Sequence, residues 1–282
     1  MVLQSEQHSS LLTKPNSANK PIGVFDSGVG GLTVVAALRR HLPNENIIYL
    51  GDTARVPYGG KSPETVLRYS KEIANLLLEH NAKMIVIACN TASALALSTL
   101  KSIYSIPIHG VIEPGAAAAV RATKKGIIGV IGTRATIASK AYQQAIHHLS
   151  PKTDVLSYPC PLLVPLVEEG LFDDEITQRV LERYLEPMLS QGIDTLVLGC
   201  THYPLLKKLI SKVIGPNVTL VDSAENCALA VQTLLTTKNL AREKSTPGTL
   251  HVLLTDTSED FLHSAANALK ISIDRVSIMT LY

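Results

Sequence analysis

The sequence predicts an α/β protein made of two pseudo-symmetric, doubly wound parallel-sheet domains that face each other across a cleft. Three observations lead to this fold class. Short apolar segments of strand length alternate with helix-length segments whose apolar residues recur at helical spacing. Strands that alternate with such helices form parallel sheets covered on both faces. The third observation is that a stretch in the first half of the chain aligns with one in the second half.

The first half of the chain contains three predicted strands and two predicted helices. In chain order, a strand over 21–25, a glycine-rich turn over 26–31, a helix over 32–41, a strand over 47–50, a helix over 63–80 and a strand over 84–88 are predicted. Ordered structure is therefore expected to begin near Pro21.

The second half repeats this plan. Residues 126–133 resemble residues 21–27, and residues 83–91 (KMIVIACNT) align without gaps with residues 194–202 (DTLVLGCTH). A chance likeness between two buried strands is common, because both are rich in Val and Ile. A cysteine at the same point past both strand ends is a less common coincidence, so we predict an internal duplication.

The composition of the 282 residues favours a packed globular protein and excludes several function classes. The net charge is +2 without a basic block, and aromatic residues make up only 4% with no Trp, so no nucleic-acid partner is predicted. No apolar run is long enough to span a membrane. Residues 1–20 are polar and lack the pattern of a secretory signal, which predicts a disordered tail, a cytoplasmic protein and reduced cysteines.

Two of the four cysteines, Cys89 and Cys200, directly follow predicted strands of the duplicated segment. Functional groups gather at the carboxyl ends of parallel strands, so both thiols are expected at one cleft, on opposite walls. A lone cysteine after a strand is usually a small buried apolar residue. Here polar pairs follow, Asn90-Thr91 and Thr201-His202, and helix N-terminal amides there would lower a thiol pKa or bind a carboxylate.

The other two cysteines, Cys160 and Cys227, have no such context and are predicted to fill the core. Cys200, His202 and a distant cysteine would supply three metal ligands. Structural zinc sites have tighter paired spacings, so no metal is predicted.

The turn over residues 26–31 (DSGVGG) favours a second interpretation. A glycine-rich turn between a strand and a helix, with Asp52 ending the next strand, is typical of a dinucleotide-binding oxidoreductase. The third glycine of that fingerprint is misplaced here. The glycines fit better as a tight turn whose N–H groups approach a small anion, which would leave Asp26 free for proton chemistry or for holding an ammonium group.

Two further segments carry weaker signals. Residues 57–60 (PYGG) are predicted to form either a turn that merely connects two elements or a loop that closes over a ligand. Glu168 is either a solvated acid at a helix end or a group that supports the site.

At these residues the sequence resembles the glutamate racemases of bacterial wall synthesis, within the wider aspartate/glutamate racemase family. The likeness runs from about Pro21 to Glu225. The stretches that carry it are residues 25–31 (FDSGVGG), 51–59 (GDTARVPYG), 88–92 (ACNTA), 161–168 (PLLVPLVE) and 199–204 (GCTHYP).

The resemblance implies that Cys89 deprotonates D-glutamate with support from Asp26, and that Cys200 deprotonates L-glutamate with support from His202. The substrate-binding residues that it implies are Asp26, Ser27, Tyr58, Gly59, Asn90, Thr91, Thr201 and His202. Independently of the resemblance, Asp52 and Glu168 are candidate supporting groups. The resemblance also implies a first domain over 21–112 and 225–282, with a second domain over 113–224 inserted into it.

The expected function is therefore racemisation of glutamate for peptidoglycan, cell-wall biogenesis and cell shape. It would need no cofactor, since no lysine has the context of a pyridoxal phosphate Schiff base. Relatives suggest a homodimer and, in some cases, a wall-precursor activator. The alternatives are an aspartate or hydantoin racemase, the dinucleotide-binding oxidoreductase, and a two-lobed protein that binds an amino acid without reacting with it.

Overall fold

The structure is a computed structural model that describes residues 17–257 and 259–281. The strands are β1 (Ile22–Asp26), β2 (Ile47–Gly51), β3 (Met84–Ile87), β4 (Ile108–Gly110), β5 (Ile127–Gly132), β6 (Asp154–Pro159), β7 (Thr195–Gly199), β8 (Thr219–Asp222), β9 (Leu250–Leu254) and β10 (Arg275–Ile278). The α-helices are α1 (Leu32–His41), α2 (Pro63–Glu79), α3 (Asn90–Ile103), α4 (Ile112–Ala122), α5 (Arg134–Ala138), α6 (Ala141–Leu149), α7 (Leu163–Glu168), α8 (Glu175–Leu189), α9 (Lys207–Ile214), α10 (Ser223–Thr237) and α11 (Glu259–Leu269). Short 3-10 helices lie at Ser17–Asn19, Thr53–Arg55, Tyr58–Gly60 and Tyr203–Leu206.

The strands form two sheets whose pairs are all parallel, which confirms the predicted fold class. The first sheet has the order β10-β9-β2-β1-β3-β4, and the second has the order β6-β5-β7-β8. In each sheet the first strand of the repeat lies between the second and the third, so β2-β1-β3-β4 corresponds to β6-β5-β7-β8. The strand order therefore follows the predicted duplication, and β9 and β10 extend the first sheet beside β2.

The segment directly ahead of Pro21 differs from the sequence prediction. The 3-10 helix Ser17–Asn19 precedes β1, and the carbonyl of Ala18 accepts a hydrogen bond of 2.7 Å from Lys83. The predicted disorder is therefore wrong for residues 17–20, because this contact holds the chain ahead of Pro21. Residues 1–16 lie outside the described residues.

One apolar core joins the two sheets. It contains residues from β1, such as Val24, and from β5, such as Val130, together with residues from the helices α1, α4 and α10. Two further clusters cover the other face of each sheet. The domain boundaries predicted at 112/113 and 224/225 fall at the beginnings of α4 and α10, within this shared core. The division into two domains at these points stays a prediction.

Among residues 17–257 and 259–281, no helix combines the length and the apolar character needed to cross a membrane.

A buried ion pair holds together four segments at the amino-terminal edge of the first sheet. The Lys83 Nζ lies 2.5 Å from Glu45 Oε2 and donates to the carbonyls of Ala18 and Leu240 at 2.7 and 2.8 Å. The other carboxylate oxygen of Glu45 accepts the backbone N–H of Arg242 at 2.7 Å. Burial lowers the pKa of Lys83, and Glu45 opposes that shift. Removing one partner would leave the other charge buried and unpaired.

We therefore expect Lys83→Met to lower the free energy of unfolding by about 3–5 kcal/mol, the range for breaking one side of a buried pair. Urea denaturation followed by circular dichroism measures the change. The control is Lys208→Met, which breaks an exposed pair with Asp173 and should cost less than about 1 kcal/mol. Equal losses in the two variants would contradict a structural role for the buried pair.

Candidate active site

A small enclosed cavity lies where the carboxyl ends of β1, β3 and β7 meet. The space in it that is open to the centre of a water-sized sphere has a volume of about 20 Å³. Its lining consists of Ser27, Val56, Pro57, Tyr58, Gly59, Cys89, Asn90, Thr91, Thr133, Val164, Cys200, Thr201 and His202. Nine of the predicted site residues are in this lining, and they come from both sheets. Both cysteines of the duplicated segment thus face one cavity.

Cys89 lies at the N-cap of α3, as the sequence predicted. Its sulfur accepts the backbone N–H of Ala92 at 3.4 Å and donates to the Ser27 hydroxyl at 3.8 Å. The expected lowering of its pKa is wrong for this structure. Burial and the nearby charge of Asp26 raise the pKa of Cys89 to about 12, because together they outweigh the helix amide.

Cys200 has a different environment, although the sequence predicted the same one. The chain after it forms the 3-10 helix Tyr203–Leu206, and α9 begins only at Lys207. The partner of the Cys200 sulfur is the Nδ1 of His202, at 3.8 Å. The second thiol is therefore supported by an imidazole where the first is supported by a helix amide.

His202 connects Cys200 to Glu168. The Nε2 of His202 lies 3.2 Å from Glu168 Oε1, and the carboxylate side chain is 36% exposed. Burial lowers the pKa of His202, but the hydrogen bonds to Cys200 and Glu168 and the charges of Cys200 and Asp26 outweigh it, so that the pKa is raised to about 10. At neutral pH the ring is an imidazolium, which places a cation beside the Cys200 sulfur.

The carboxylate of Asp26 is fully buried, and hydrogen bonds engage both of its oxygens. Its Oδ2 accepts the N–H groups of Gly28 and Gly31 at 3.1 and 3.0 Å, and its Oδ1 accepts the Thr201 hydroxyl at 3.3 Å. These donors hold the Asp26 carboxylate in place, and its part in proton chemistry or in holding an ammonium group stays a prediction. The glycine turn does bind an anion, but the anion is the side chain of Asp26. Burial raises the pKa of Asp26, and these hydrogen bonds and His202 partly oppose the shift.

The glycine turn also has no room for a dinucleotide. A Cβ atom built on Gly30 would lie 2.6 Å from the Nδ1 of His202, so the turn packs directly against the other half of the site. The oxygens of Asp52 accept from Tyr58 and, at 2.9 Å, from Thr255, and they do not face an open groove. The structure thus gives the oxidoreductase interpretation no support.

Asp52 is outside the cavity lining, and it accepts a hydrogen bond from Tyr58 in the loop that lines the cavity. Besides Tyr58, it pairs with Arg55 at 2.7 Å, and the Arg55 guanidinium also bonds Glu72. That guanidinium lies 3.8 Å above the ring of Tyr69. Burial and the Asp52 carboxylate raise the pKa of Tyr58, which therefore stays a neutral hydrogen-bond donor.

Sequence reasoning missed three residues of the lining, namely Val56, Thr133 and Val164, whereas Pro57 belongs to the 57–60 loop that it singled out. The Thr133 hydroxyl lies 2.9 Å from Thr91 and also 2.9 Å from Thr136, so it bridges α3 of the first sheet and α5 of the second. Thr133 could have been found, because the internal alignment places it opposite Ser27. The apolar residues Val56 and Val164 carry no chemical signal in the sequence.

The arrangement provides two thiols and several hydrogen-bond donors around one small cavity. Such a site can move protons to and from a small polar molecule held between the thiols. No lysine is among the lining residues. Within the described part of the chain, no cluster of three or more His, Cys, Asp or Glu side chains is arranged as a metal site.

Known proteins share this fold and much of this sequence. A glutamate racemase of Geobacter metallireducens is 52% identical over 243 residues, which cover 86% of this chain and 90% of that protein. A glutamate racemase isoform of Bacillus anthracis has a TM-score of 0.90 at 42% identity, covering 94% of this chain and 98% of that one. The glutamate racemase of Francisella tularensis, solved with D-glutamate, has a TM-score of 0.87 at 38% identity with the same two coverages.

One more solved structure bears on the expected activator. The Escherichia coli glutamate racemase, in complex with L-glutamate and the activator UDP-MurNAc-Ala, has a TM-score of 0.77 at 28% identity and covers 93% of this chain and 99% of that one.

The family model described as Asp/Glu/hydantoin racemase matches residues 32–231. With that match and the identity to curated relatives over most of its length, the chain belongs to the Asp/Glu/hydantoin racemase family.

Proposed function

We propose that this protein interconverts L-glutamate and D-glutamate without a cofactor, using Cys89 and Cys200 as a pair of acid/base thiols. One observation carries the proposal. The two thiols line a single small cavity, and each lies at the same point past the third strand of its duplicated unit. Racemisation takes a proton from one face of the α-carbon and returns one to the other face, and two opposed groups are the simplest means of doing so.

Two proton transfers, one at each thiol, would convert L-glutamate into D-glutamate. The thiolate of Cys200 removes the α-proton of L-glutamate and becomes a thiol, while the electron pair of the C–H bond moves into the α-carboxylate as an enediolate. The thiol of Cys89 then gives its proton to the opposite face and becomes a thiolate, and D-glutamate is formed. The reverse reaction begins with the thiolate of Cys89. The raised pKa of Cys89 fits its role as the proton donor in the first direction.

The α-proton of an amino acid is much less acidic than a thiol, so the site must stabilise the enediolate. Hydrogen-bond donors at the developing charge are worth about 3–4 kcal/mol each when removed. The candidates are the side chains of Ser27, Asn90, Thr91 and Thr201, all in the lining. The closed cavity strengthens each of these bonds, because little water is present to compete for them.

The remaining predicted residues act through these groups. His202, held by Glu168, places a cation at Cys200, and Asp26 fixes Thr201 and the glycine turn beside Cys89. Asp52 holds Tyr58, whose neighbour Gly59 also lines the cavity. We assign Asp26, Asp52 and Glu168 as positioning residues.

The wider setting is also part of the proposal. D-glutamate is a component of peptidoglycan, so the protein would act in the cytoplasm, in cell-wall biogenesis and the maintenance of cell shape. We further propose that it is a homodimer, which light scattering tests. A wall-precursor activator is a hypothesis for this chain, suggested by the Escherichia coli complex and tested by assays with and without UDP-MurNAc-Ala.

We expect Cys89→Ala and Cys200→Ala each to abolish racemisation while leaving the fold intact, because one thiol cannot serve both faces. In D₂O with a chelator, Cys89→Ala should still exchange the α-proton of L-glutamate without inversion, and Cys200→Ala that of D-glutamate. Proton NMR and polarimetry measure both outcomes.

The matched controls are Cys160→Ala and Cys227→Ala, which remove buried thiols outside the cavity lining and should keep racemase activity. Near-normal turnover in both directions by either cavity variant would refute the two-thiol mechanism.

Substitution of His202 should affect the two directions differently. With His202→Asn we expect the rate of α-proton loss at saturating L-glutamate to fall by about 10²-fold, within the range for an acid/base group, and that from D-glutamate by less than about tenfold. The reason is that the Nδ1 of His202 lies 3.8 Å from the sulfur of Cys200, the group assigned to attack L-glutamate. Exchange into D₂O measures both rates, and His147→Asn, a substitution outside the cavity lining, is the control. Equal losses for the two enantiomers would count against this role.

The substrate is tested by comparing L-glutamate with L-aspartate. We expect turnover of glutamate to exceed that of aspartate by at least about a hundredfold in kcat/KM, the scale set by polar groups that a shorter substrate leaves unpaired. Circular dichroism of the reaction mixtures measures both. Comparable values would favour an aspartate or hydantoin type of racemase, and binding without α-proton exchange would favour a binding protein.

A further inference from the structure

We propose that Tyr142 is a positioning residue for the reaction, which orients the side-chain amide of Asn90 so that its Nδ2 faces the carboxylate bound in the cavity. This inference rests on the proposed function, since it concerns how the same site stabilises the enediolate. Tyr142 belongs to α6, in the part of the chain that forms the second sheet, whereas Asn90 begins α3 of the first.

The position of Tyr142 is tightly defined. The residue is 2% exposed, and its hydroxyl donates to Asn90 Oδ1 at 2.7 Å. Its ring occupies space that glycines leave open, since Cβ atoms built on Gly115 and Gly199 would each lie 3.2 Å from ring atoms. Gly199 is the residue directly before Cys200. Tyr142 therefore reaches Asn90 by passing beside the end of the strand that presents the second thiol.

Only one of the two polar atoms of the Asn90 side-chain amide has a hydrogen-bond partner among the described residues. Its Oδ1 accepts from Tyr142, but its Nδ2 is buried and has no hydrogen-bond partner among the described residues. Buried polar groups nearly always have a partner, and leaving one unpaired costs about 1–3 kcal/mol. Asn90 lines the cavity next to Cys89. The missing acceptor matches a carboxylate oxygen of the substrate, which a neutral N–H donor binds and stabilises as it gains enediolate charge.

The bond from Tyr142 determines which end of the amide faces the cavity. The two heteroatoms of an asparagine amide point in different directions from one planar carbon, so Oδ1 held at the tyrosine leaves Nδ2 for the ligand. The opposite orientation would set the amide oxygen against a carboxylate oxygen, two acceptors facing each other. The hydroxyl of Tyr142 thus favours the orientation that stabilises the reaction, although it does not itself line the cavity.

The test is Tyr142→Phe, which removes the hydroxyl and keeps the ring that fills the space. We expect kcat to fall by about tenfold to a hundredfold for both enantiomers, less than the 10²–10³ lost when an oxyanion donor is removed outright, with a smaller change in KM. The matched control is Tyr104→Phe, because Tyr104 makes the same type of bond, to the Oδ1 of Asn75 at 2.6 Å, outside the cavity lining.

A double-mutant cycle separates orientation from a merely structural effect. In an Asn90→Ala background, Tyr142→Phe should change kcat by less than about twofold, because the amide that it orients is gone. A loss of kcat in that background as large as the loss in the wild type would overturn the proposal. Urea midpoints of all variants show whether folding contributes.

The failure of this inference can be told from failure of the proposed function. If the wild-type protein racemises glutamate and Tyr142→Phe has the wild-type kcat, only the inference is overturned. If the wild-type protein does not racemise glutamate, the proposed function is overturned, and this inference with it.

Discussion

The buried carboxylate of Asp26 is the contact on which the geometry of the site depends. It ends β1, closes its own glycine turn through two N–H groups, and accepts the hydroxyl of Thr201 from the second sheet. Thr33 adds a second link by donating to the carbonyl of Thr201 at 3.1 Å. A buried carboxylate needs several hydrogen-bond donors in place of water, and here these donors come from both halves of the molecule. The carboxylate therefore fixes the two strand ends, and with them the two thiols, relative to each other.

The duplicated units share their geometry but not their electrostatics. Cys89 and Cys200 lie at equivalent strand positions and line one cavity. The sulfur of Cys89 contacts a helix amide and a hydroxyl group. The sulfur of Cys200 contacts an imidazolium that is itself hydrogen-bonded to Glu168. The fold repeats because both units must present a group at the end of the same strand. The environments differ because α3 begins directly after Cys89, whereas a 3-10 helix separates Cys200 from the beginning of α9.

Much of the fold could be predicted from the sequence, since apolar strands and amphipathic helices are local patterns; α1 lies where the periodicity placed it. The cavity could also be predicted from two cysteines at equivalent strand ends. The bond between Thr201 and Asp26 and the bond between Tyr142 and Asn90 could not, because they join residues 175 and 52 positions apart. Nor could the pKa of Cys89, since the sequence shows the helix amide beside it but not the depth of burial or the nearby carboxylate that dominate.

Contacts between the two sheets differ in kind from one side of the molecule to the other. Away from the cavity, an apolar core containing α1, α4 and α10 joins the sheets. At the cavity the contacts are hydrogen bonds, including those from Thr91 to Thr133 and from Tyr142 to Asn90. The bond that orients the Asn90 amide exists only while the two halves are together. Exclusion of water and orientation of the donor are thus consequences of the same closed arrangement, so the donor faces the substrate when the surrounding dielectric is lowest and its effect is greatest.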